Sequence, residues 1–105
     1  MDTTPPKAYQ EFTARFPGLA EGWERLGSAS RSAGPLDERD VALVKLAISI
    51  GSGQTGPVHS AARKALAAGV AFEELEQVVA LSASTLGLPR SVAAWTWIRE
   101  VVPSA

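Results

Sequence analysis

A single histidine, His59, is the residue in this 105-residue chain best suited to moving a proton. The imidazole is the one side chain whose ordinary titration lies near neutral pH, which fits it for general acid or base work at a substrate carbon. The same sequence would also suit a histidine that merely hydrogen-bonds its neighbours. Just upstream, Gly51-Ser52-Gly53-Gln54-Thr55-Gly56 supplies hydroxyls, an amide and mobile backbone N–H groups. With Ser52, Gln54 and Thr55 it is a candidate site for a carboxylate or oxyanion. Arg63 reads first as a solvated surface side chain, but it falls one helical turn beyond His59 on the same face, where it could meet a substrate carboxylate. Asp40 is a candidate to orient His59 or hold it protonated. Yet about ten helical residues, ~15 Å at 1.5 Å per residue, separate it from the turn, and a place at a helix start explains it without any partner.

The glycine spacing also matches Gly-x-Gly-x-x-Gly, the pattern of a dinucleotide-binding loop. That fold needs several parallel strands, and nothing downstream alternates as a strand does. The Gly-Lys-Ser/Thr ending of a triphosphate loop is missing too. Trp23, Trp95, Trp97 and Phe72 are candidates to line an aromatic pocket, though aromatics at helical spacing are more commonly core. Trp95 and Trp97 must point in different directions from one helix, so one is expected in the core and the other at a contact between subunits.

The chain contains no cysteine, which excludes disulfides, thiolate metal sites and every mechanism that runs through one of its own thiols. No metal and no cofactor are expected. Ten basic residues stand against eleven acidic ones, scattered singly, so there is no footprint for nucleic acid. The longest strongly apolar run, Val41 to Ile50, contains Lys45 and is about half the length of a membrane span. The N-terminal residues have neither the basic start nor the apolar run of a secretory signal, and a cytoplasmic location is the default expectation.

Proline and glycine divide the rest into six helical segments. The first runs from about Pro6 to Phe16, with Tyr9, Phe12 and Phe16 on one face. The second, about Leu19 to Ala33, carries Leu19, Trp23 and Leu26 in a stripe. The third is capped by Asp37, with Asp40 three residues on in a near relative of a capping box, and its run Val41 to Ile50 predicts a central, buried helix. β-Branched residues would let that run pass for a strand, but about fourteen residues from cap to break favour the helix. The fourth begins near Pro57 and closes at Gly69; Glu73, Glu74 and Glu76 open the fifth, which Gly87 stops. Pro89 starts the last, whose two apolar faces exceed what one neighbouring helix covers.

From Phe16 to Val101 this order of features resembles the carboxymuconolactone decarboxylase and alkylhydroperoxidase D-like family. The most specific residues are His59-Ser60-Ala61-Ala62-Arg63-Lys64-Ala65-Leu66-Ala67-Ala68-Gly69-Val70, then Phe72-Glu73-Glu74-Leu75-Glu76-Gln77-Val78 and Leu86-Gly87-Leu88-Pro89. Carried over residue by residue, the peroxidase branch's helix histidine matches His59. Its two cysteines fall on Ser52 and Thr55, the histidine between them on Gln54 and its glutamate on Asp40. Hydroxyls cannot replace a redox-active thiol pair, so thiol peroxidase activity is disfavoured. The decarboxylase branch, which lacks the cysteine pair, is closer, although it carries acidic residues where this chain has Gln54 to Val58.

The expectation is therefore an all-α, single-domain bundle of about six helices, alkylhydroperoxidase D-like, built around an antiparallel pair formed by the third and fourth helices. Residues 1–5 are expected to be a flexible N-terminus and residues 6–105 the helical domain. The resemblance implies a homo-oligomer, a trimer or hexamer. The function it implies is a lyase or isomerase acting on a small organic acid or lactone through His59. The alternative is a family member without catalysis, serving as a small-molecule binding or assembly module.

Overall fold

The computed structural model describes residues 5–102, and all of its regular elements are helical. They are α1 (Lys7–Arg15), α2 (Pro17–Arg31), α3 (Glu38–Ser52), α4 (Thr55–Ala67), α5 (Phe72–Leu86) and α6 (Leu88–Arg99). The described residues form two compact units, residues 5–36 with α1 and α2, and residues 37–102 with α3 to α6. Of the expected flexible N-terminus, residues 1–4 lie outside the described residues.

In the second unit α3 packs on α4 and α5, α4 packs on α6, and α5 pairs closely with α6. The core sits where these four helices meet. Leu46 and Ile50 enter it from α3, Val58, Ala62 and Ala65 from α4, Leu75 and Val79 from α5, and Ala94 and Ile98 from α6. Small alanines on α4 and α6 let the backbones approach, and the larger aliphatics fill the space between them.

The helix ends follow from local chemistry. The Asp37 carboxylate accepts the Asp40 N–H at 2.8 Å, the expected cap of α3. α4 closes in a Schellman turn, in which Val70 N–H donates to Ala65 O and Gly69 N–H to Leu66 O. At the start of α5 one Glu74 oxygen accepts the Ala71 N–H and the other pairs with Arg39 of α3. Ala71 has no side-chain acceptor to return that bond, so only half of a capping box is present.

Four sequence expectations are corrected. α2 starts at Pro17, not Leu19, and stops at Arg31; Pro17 does not simply break the chain but occupies the first helical turn, where a missing N–H costs nothing. α4 starts at Thr55, two residues before Pro57, which is still within the turn whose N–H groups have no helical acceptor. α6 ends at Arg99. Fourth, α3 is not buried all round. Only Leu46 and Ile50 are fully covered while Val44 and Ile48 face outward, because its neighbours cover one side.

The first unit buries none of the residues in α1 and α2. Phe12 and Phe16 stack at 5.1 Å between centroids, and Arg15 lies over the Phe16 ring. Leu19, Trp23 and Leu26 form the expected stripe on α2, and all three are exposed, Trp23 at 65%.

Candidate active site around His59

α3 and α4 are joined by a turn so short that most of the glycine-rich segment is helical. Gly51 and Ser52 complete α3, Gly53 takes the left-handed conformation (φ 73°), Gln54 is extended, and Thr55 and Gly56 open α4. The expected flexible connection is thus a tight corner. Arg90 of α6 fixes it from outside, its Nη1 donating to Ile50 O at 3.3 Å and Gly51 O at 3.1 Å. A cation over the last carbonyls of a helix is favoured by both hydrogen bonding and the helix dipole. The positive φ favours glycine at residue 53, and the guanidinium lies so close that a Cβ there would come to 2.8 Å from it and push the arginine aside.

Of the polar groups expected here, the Ser52 hydroxyl is already engaged. It donates to Ser49 O at 2.6 Å and accepts from Gln54 N–H at 3.3 Å. Gln54 and Thr55 are exposed, and α4 has no side-chain cap, so the first N–H groups of α4 are open. His59 follows Thr55 by one turn on the same helix, and Arg63 follows His59 by another. Both are partly buried rather than freely solvated. The structure thus brings Ser52, Gln54 and Thr55 to the corner and strings Thr55, His59 and Arg63 along one face of α4.

Asp40 is not part of this group. It lies in the first turn of α3, about 18 Å along the helix axis from Ser52, and no hydrogen bond or ion pair joins it to His59. The carboxylate on the imidazole is Glu100, at the end of α6, whose Oε1 is 3.0 Å from His59 Nε2. The His59 side chain is 27% exposed and that of Glu100 52%, so the pair is accessible to solvent while the ring rests against the protein. Sequence reasoning missed Glu100 because it lies 41 residues from His59. The available signal was a glutamate at a helix C-terminus, the end the dipole makes unfavourable for an anion.

Within the second unit, Phe72, Trp95 and Trp97 do not form one wall. Trp97 and Phe72 pack against the core. The Trp95 indole N–H donates to Glu76 at 2.9 Å, and Arg99 lies over its ring. An apolar groove of about 590 Å³ runs between α3 and α5, lined by Leu43, Ala47, Val78 and Leu81 among others; His59 is not among its walls. Among the described residues, no three histidine or acidic side chains converge as metal ligands do, and no helix is long and apolar enough to cross a membrane.

A helical hairpin with a histidine one turn into its second helix, followed by an alanine-rich stretch and a glycine turn, is what the sequence resemblance anticipated. The profile of the carboxymuconolactone decarboxylase family matches residues 17–100, 84 of the 105 in the chain. The chain belongs to that family. Neither a curated protein nor a solved structure matches it.

Proposed function

We propose that this chain is an acid–base protein of the carboxymuconolactone decarboxylase kind, in which His59 transfers a proton at a carbon of a small organic acid or lactone. The observation that carries this reading is the placement of His59. The imidazole stands on the family's helix, reachable from solvent, with one nitrogen held by a carboxylate. As an isomerase, the ring takes a proton from a carbon next to a carbonyl, and the electron pair moves into an enolate. The imidazolium then returns the proton at another carbon, so no co-reactant is consumed. As a lyase, the bond to a departing carboxylate breaks, its electron pair stays on carbon as carbon dioxide leaves, and the imidazolium protonates that carbon. The open N–H groups of α4, with Gln54, Thr55 and Arg63, are the groups that bind the acid or the enolate oxygen. In this reading Asp40 serves the start of α3.

Two observations favour a role in assembly beside or instead of catalysis. α1 and α2 bury none of their residues, and Leu19, Trp23 and Leu26 stand exposed together. Contiguous apolar surface of this kind marks an interaction site. Self-association, as the trimer or hexamer that the family resemblance implies, would cover it.

The test is deuterium exchange. The protein is incubated in heavy water with a panel of small lactones and keto acids, and incorporation at carbon is followed by NMR. Incorporation or turnover that disappears in His59→Ala is the expected result, with a loss of about 10²–10⁴-fold for removal of a general acid–base group. Binding that survives His59→Ala, with no proton exchange by either protein, would replace the catalytic reading with the binding module.

A further inference from the structure

The His59–Glu100 contact fixes more than the place of the ring. An ionised carboxylate has no proton to give, so at 3.0 Å it accepts, and the shared hydrogen must be on Nε2. In the neutral ring that leaves the lone pair on Nδ1, which makes no hydrogen bond to any described residue. Glu100 has little local reason to be where it is. Its carboxylate stands at the C-cap of α6, beside the negative end of the helix dipole. The neighbouring cation, Arg99, is drawn over the Trp95 ring, and the side-chain partner of Glu100 is His59. A half-exposed pair of this kind adds little to stability, so its consequence lies in what it does to the imidazole.

We propose that Glu100 is the positioning residue of His59: it holds the Nε2–H tautomer and the ring plane, and it makes Nδ1 the atom that exchanges protons with the substrate. The assignment rests on the acid–base reading above and deepens it. When Nδ1 takes a proton the ring becomes an imidazolium, and the carboxylate on the opposite nitrogen stabilises that charge without itself being protonated, as in other imidazole–carboxylate pairs. The pair links two elements far apart in sequence, the first turns of α4 and the end of α6, so the ring's orientation depends on how those helices dock.

The experiment uses the fact that the chain has one histidine. In protein labelled with ¹⁵N-histidine, both ring nitrogens give resonances that need no assignment by mutation. At alkaline pH, where a histidine ring is ordinarily neutral, wild-type protein is expected to show one tautomer, with an Nε2–H proton protected from exchange with water. Glu100→Ala is expected to lose that protection, whereas Glu73→Ala, which removes a charge from an exposed site on α5, keeps it. A mixture of tautomers in wild type, or an unchanged spectrum in Glu100→Ala, overturns the proposal. Neither readout needs a substrate, so they stand apart from the fate of the acid–base reading, which fails if His59→Ala retains proton exchange. With an active substrate, Glu100→Ala lowers kcat about tenfold with KM unchanged, less than the loss in His59→Ala; an equal rise in KM with kcat preserved would also overturn the positioning role.

Discussion

Replacing Gly53 by alanine tests the corner that places His59, and a double-mutant cycle with Arg90 separates its two causes. At φ 73° an alanine suffers a backbone penalty of about 1–2 kcal/mol. Its Cβ would also lie 2.8 Å from the Arg90 guanidinium, so the arginine must swing away and release the Ile50 and Gly51 carbonyls. Hydrogen bonds to a charged group contribute about 1.5–3 kcal/mol when well buried. Arg90 is only partly buried and the bonds are long, so about 1 kcal/mol is the expected loss. Gly53→Ala should therefore cost about 2–3 kcal/mol and Arg90→Ala about 1 kcal/mol. The double variant should cost no more than Gly53→Ala alone, because the alanine has already displaced the arginine. The coupling of about 1 kcal/mol is read from urea midpoints at one protein concentration, with unchanged slopes. Strict additivity, or a Gly53→Ala midpoint indistinguishable from wild type, would refute the idea that Arg90 and the left-handed turn act together.

Two further outcomes follow from other parts of the structure. Leu19→Ser with Trp23→Ser should lower the sedimenting mass at a fixed concentration while α3 to α6 still unfold cooperatively; an unchanged mass would show that this stripe is not an interface. Ser91, 5% exposed, shares a 2.7 Å hydrogen bond with Ser82, which keeps its own bond to Val79 O. Ser91→Ala should thus cost only about 1 kcal/mol, seen as a fall of a few degrees in Tm, and a loss several times larger would mean that the pair does more than join α5 to α6.

The fold was legible where each helix end is written in a few adjacent residues. Asp37 before Glu38, the Ala67-Ala68-Gly69 close of α4 and Gly87 between α5 and α6 specify stops and starts through bonds spanning no more than five residues. Boundaries slipped where proline was read as the first helical residue, because proline is tolerated throughout the first turn and its position there cannot be told from sequence. Burial was misread for α3, whose run from Val41 to Ile50 contains apolar residues on every face. Periodicity assigns an inside to a helix only when the other face is polar, and here Val44 and Ile48 point outward with no polar pattern to announce it.

The site divides along the same physical line. His59 and its helical neighbours Thr55 and Arg63 were legible because a helix fixes their mutual placement at spacings of four residues. Glu100 was not, since its distance from the imidazole depends on the docking of α6 against α4, which is decided by the fit of Ala94 and Ile98 into the shared core. The family resemblance pointed instead to Asp40 as the acidic group, and the structure leaves that residue at the opposite end of α3 from the corner. A carboxylate can serve an imidazole from any element that reaches it, because the requirement is an acceptor at hydrogen-bond distance rather than a position in the chain. The place of His59 on α4 can thus be read along the chain, whereas the carboxylate beside it, 41 residues away, is found only in three dimensions.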